Sequence, residues 1–154
     1  MPPAPSFDLA AAHRWFAADC FNRVWDLLDK PDRSRDDDER MISLCHASLV
    51  HWRERPDCAP LRLSIGYWQL SRVYAVLGLV EGAGRYANLC LGASAGLPPF
   101  YLAYAHEALA RTAKLIGHSE ALAYHRAEAG RLASEVADAG ERQALAADLT
   151  ALDT

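Results

Sequence analysis

Apolar positions recur every three to four residues along almost the whole chain, the spacing of one-sided helices. Leu9, Phe16, Cys20, Val24 and Leu27 form the stripe of a first helix, which Ser6 caps and Pro31 stops. Ser34 followed by Asp37 has the capping-box pattern, and "RDDDE" puts acid at the positive end of a second helix that closes near Arg55, before Pro56. A third helix fits residues 60–77 with Gly78 as its stop, and a fourth runs from about Val80 to Ser94, before "AGLPP". Pro98 or Pro99 opens a fifth that stops at Gly117, Ser119 caps a sixth reaching about Ala137, and "DAGERQALAADLTAL" adds a short terminal helix. Alternating β-branched runs and hairpin dipeptides are missing from this pattern. The expectation is one all-α domain over residues 1–154: antiparallel hairpins at 6–55, 60–95 and 98–137, then a terminal helix at 139–152.

The second and third hairpins read as two copies of one unit. At an offset of 39 residues Leu70 meets Leu109, Leu77 meets Ile116, Gly78 meets Gly117 and Glu81 meets Glu120. Units of two helices stack because a lone pair cannot bury its apolar face. Tyr67, Leu70, Ser71 and Tyr74, then Gly78 and Ala83, stand at the signature places of a tetratricopeptide repeat, with His106, Leu109, Ala110 and Ala113 at the same places of the second copy. Residues 64–137 thus resemble that family, though the spacing exceeds its usual period of about 34 residues. The segment "WDLLDKPDRSRDDDERM" is also similar to short bacterial helical proteins, a likeness that implies no activity.

At about 100° per residue, Tyr67, Leu70, Ser71, Tyr74 and Leu77 share one face of the third helix, while Trp68, Gln69, Arg72 and Val76 occupy the opposite arc. The tetratricopeptide resemblance implies that this second arc lines a groove that receives a peptide or another protein. The groove residues are then Trp68, Arg72, Tyr104, Glu107, Arg111 and Lys114. An indole beside a planar guanidinium offers buried area and a bidentate fork for carboxylate. The same side chains can instead form a packed seam between units, with Glu107 and Arg111 a helical i, i+4 ion pair. In the first helix Trp15, Asn22, Trp25 and Asp26 lie away from the apolar stripe, and that face is expected to meet the second hairpin.

Histidine and cysteine supply the rival chemistry: a small-molecule pocket or enzyme centre built from His51, Cys45 and His106 on different helices. His46 and His51 are badly spaced for a helical metal site, and no metal or cofactor is expected. Self-association of a structural protein is a third reading. The net charge of −4 argues against a nucleic-acid footprint. No apolar run approaches a membrane span, and "MPPAPSFDLAAAHRW" lacks a secretory pattern, so a cytoplasmic setting with four reduced cysteines is expected.

Overall fold

The computed structural model describes residues 6–153. Among them are seven helices and no strand: α1 (Leu9–Leu28), α2 (Arg35–Arg53), α3 (Pro60–Val76), α4 (Val80–Ser94), α5 (Pro99–Leu115), α6 (Ser119–Ala133) and α7 (Ala139–Thr150). The protein is all-α, an array of three packed hairpins, α1–α2, α3–α4 and α5–α6, followed by α7. No described helix is long and apolar enough to cross a membrane.

The internal repeat is complete at the level of helix ends. Shifting α3 and α4 by 39 residues lands on the first and last residues of α5 and α6. Both first helices begin with proline, whose fixed φ suits the opening turn. Both close with the same two bonds: Gly78 N–H to Ala75 O and Leu79 N–H to Tyr74 O in one, Gly117 N–H to Lys114 O and His118 N–H to Ala113 O in the other. Gly78 and Gly117 each sit at φ 71°, the left-handed conformation this ending requires. α2 starts with the Ser34–Asp37 capping box that the sequence predicts.

Three expected ends move. Asp8, not Ser6, caps α1 by accepting from Ala11 N–H, and His118, not Ser119, caps α6 by accepting from Ala121 N–H. α6 stops at Ala133, after which the chain turns and buries Val136.

The main core gathers Cys20, Val24, Met41, Cys45, Leu70 and Val73, and a smaller cluster of Ala103, Leu132 and Leu145 joins the third hairpin to α7. α3 has helices on several sides: it packs against α2, α4 and α5 and touches α1 where Gln69 Nε2 donates to Phe21 O. Gln69, expected on the polar arc, is therefore buried at 1% exposure. At the opposite extreme Leu9 and Phe16, expected in the core stripe, are 50% and 43% exposed. They lie on the outermost hairpin, which no further unit covers within the described residues. Trp25 meets Trp68 across the hairpin boundary, as the α1 face was expected to do, but Trp15 remains exposed.

Candidate functional site

Because the first helices lie side by side, residues at equivalent repeat positions face each other across the boundary. Trp68 and Glu107 are such a pair, and the Trp68 indole Nε1 donates to Glu107 Oε2 at 2.9 Å. Arg111 Nε donates to the other oxygen, Oε1, at 2.9 Å, and its Nη2 makes a second bond to the same atom. Both oxygens are thereby satisfied, which a carboxylate at 0% exposure requires. One turn further, Arg72 occupies the position equivalent to Arg111 and also holds an acid: its Nη1 donates to Asp148 Oδ1 of α7 at 2.7 Å. The Tyr104 hydroxyl donates to Asp148 Oδ2 at 3.1 Å. The Arg72 guanidinium rests 5.6 Å from the Trp68 ring centre and 6.0 Å from that of Trp25. Burial, reinforced by the Asp148 charge, pushes the Tyr104 phenol above its ordinary pKa.

This answers the choice between groove and seam differently along one helix face. Glu107 does not line an accessible surface; it is sealed inside the boundary because Trp68 and Arg111 close over it. Arg72 and Arg111 are partly covered and neutralised from within the chain. Lys114 is exposed and lines a shallow depression with Val76, Leu115 and Leu152. Toward the starts of α3 and α5 the boundary opens into a cleft of about 260 Å³, walled by Ser64, Ile65, Trp68, Phe100, Tyr101 and Tyr104. Phe100 stands edge-on to Tyr104 and to Tyr101, with ring centres 5.0 and 5.3 Å apart, and Trp68 is edge-on to Tyr104 at 5.0 Å. The Trp68 N–H and the Tyr104 and Ser64 hydroxyls are each bonded within the protein, the Ser64 hydroxyl lying 2.8 Å from that of Ser94. A cleft walled mainly by aromatic rings selects apolar side chains.

The residues of the rival pocket sit in three different contact sets. Cys45 is buried with its thiol toward Gln69 Oε1, and burial pushes its pKa up to about 12, so it is not a thiolate at neutral pH. His51 joins α2 to α1 through His13, with 2.8 Å between their Nδ1 atoms. His106 joins α5 to α6 through His125, with Nδ1 atoms 3.0 Å apart. All four cysteines are unbridged, and among the described residues no group of three or more His, Cys, Asp or Glu gathers in a way that could hold a metal ion.

Each imidazole pair shares one proton, so charging both rings breaks the bond. Burial holds His51, His106 and His125 below the ordinary histidine pKa, and the ring opposite lowers His51 and His125 further. The unfolded chain therefore takes up protons first as pH falls. Stability is full above the free-histidine value of about 6.5 and declines below it. Thermal melts should fall by several degrees between pH 7.5 and 5, above the range where carboxylates such as Asp37, held down to about 2, begin to protonate. Replacing His125 with glutamine should flatten that slope, and an unchanged slope in this variant and in His51→Gln would assign the loss elsewhere.

Sequence reasoning missed the cleft residues Phe100 and Tyr101, whose only local signal is an aromatic pair just after Pro98–Pro99. It also missed Asp148, which lies 76 residues from Arg72. The Trp68–Glu107 contact was within reach, since its separation of 39 equals the repeat offset. No protein-family model, curated protein or solved structure matches the chain.

Proposed function

We propose that the protein is a non-catalytic peptide- or protein-binding module of tetratricopeptide-like design, working through the face formed by α1, α3 and α5. The observation that carries this reading is the aromatic cleft at the α3–α5 boundary, about 260 Å³ in volume and lined by Trp68, Phe100, Tyr101 and Tyr104. It suits a large apolar side chain presented by a chain lying along the face. Burying one leucine or phenylalanine there supplies roughly 1.5–3 kcal/mol. The aromatic walls are already braced against one another, so little side-chain freedom is lost on binding.

The test is selection of ligands from a random peptide display library on the purified protein, followed by titration of the tightest synthetic peptide. Phe100→Ala, which leaves the Trp68–Glu107 and Tyr104–Asp148 bonds in place, should weaken binding about tenfold or more. Selection that enriches no peptide, or peptides indifferent to Phe100→Ala, would count against the cleft.

A further inference from the structure

We infer that the segment bound by this face is acidic: it places a carboxylate on Arg62 beside the apolar side chain that fills the aromatic cleft. The inference rests on the peptide-binding reading above and adds the chemistry of the partner.

Ile65 lines a second cleft as well as the aromatic one. This neighbour, about 220 Å³, lies between α1, the end of α2 and the start of α3, and its other walls are Ala18, Phe21, Asn22, Trp52 and Arg62. The second cleft shares Ile65 with the aromatic one and so lies next to it. Arg62 is its cation. Its guanidinium packs 4.6 Å from the centre of the Trp52 ring. Arg55 packs on the same indole at 4.2 Å but is already neutralised by bidentate bonds to Asp57 at 2.8 and 2.6 Å.

The chain shows how it uses a guanidinium of this kind. Arg72, laid against Trp25 and Trp68, carries Asp148, and Arg55, laid against Trp52, carries Asp57. Arg62 has the same aromatic support and no carboxylate within ion-pair distance among the described residues. A planar fork held on a ring matches a carboxylate bidentately. One exposed guanidinium on a chain of net charge −4 matches a single acidic side chain better than a polyanion such as nucleic acid. Asn22, exposed on the same wall, offers an amide to the backbone of a bound chain.

The display selection decides the point when run in parallel on wild type and Arg62→Glu. Arg62 is exposed, so the variant should keep the wild-type circular dichroism and melting temperature. Wild type should enrich peptides with Asp or Glu within a few residues of an aromatic or leucine, and Arg62→Glu should exchange that acid for Lys or Arg. In the tightest synthetic peptide, replacing the acid by its amide should weaken binding to wild type about tenfold and leave binding to Arg62→Glu unweakened. Apolar or basic peptides enriched on wild type, or the same peptides enriched on both proteins, would overturn the acidic partner while leaving the groove standing. A selection that enriches nothing removes both.

Discussion

Replacing Glu107 with alanine should destabilise the protein by about 3–5 kcal/mol, the largest effect expected of any single polar change here. The carboxylate is at 0% exposure, and its loss strands two donors. Arg111, whose side chain is 17% exposed, keeps its charge without an acid, and the Trp68 N–H loses its acceptor inside the boundary. The void left behind adds a packing loss. Two further variants separate these causes. Glu107→Gln retains the shape and an acceptor oxygen and should cost about 1–3 kcal/mol. Glu107→Leu combined with Arg111→Met removes both charges, and it should recover most of what alanine loses because neither ion is left unpaired. Urea unfolding followed by circular dichroism measures all three, and a Glu107→Ala cost under about 1 kcal/mol would mean that water reaches this boundary.

The second large effect is steric. A Cβ on Gly82 would sit 2.4–2.8 Å from three carbons of the Tyr74 ring. That ring is stacked on Tyr86 at 5.5 Å between centres and bonded to His46 through its hydroxyl at 3.2 Å, so moving it disturbs both contacts. α3 and α4 are pulled together at this height by the Ser71 hydroxyl, which donates to Ala83 O at 2.9 Å. Gly82→Ala should therefore cost about 1–3 kcal/mol even though alanine favours helix over glycine by about 1 kcal/mol. Gly92 is the internal control, a glycine of the same helix with nothing within 4 Å of its would-be Cβ. Gly92→Ala should stabilise by about 0.5–1 kcal/mol. Equal effects at the two positions would refute the steric account.

The all-helical array was legible because this chain punctuates itself. Pro60, Gly78, Pro99 and Gly117 mark helix ends whose local chemistry allows little else, and Ser34 with Asp37 fixes a start in the same way. A helical wheel carried less far, since it divides a helix into an inside and an outside. α3 has neighbours on several sides, so Gln69 and Val73, off the face assigned to the core, are as buried as Leu70. Glu107 was placed on a groove by the repeat register, yet a carboxylate can be buried once Trp68 and Arg111 supply donors; Trp68 was visible at the repeat offset and Arg111 as the i, i+4 neighbour. Asp148 gave no such signal, because its pairing with Arg72 depends on how α7 folds back over the array.

The column formed by Trp25, Trp68 and Glu107 limits how the units can be rearranged. Since like positions of neighbouring units touch, two identical copies of the third hairpin would press glutamate against glutamate. Two copies of the second would leave no acid for the indole N–H. The drift between the two copies is thus an assembly code, in which each unit is written for the neighbour it has. Averaging them into one consensus repeat would sharpen every helix end and erase the instruction that sets their order.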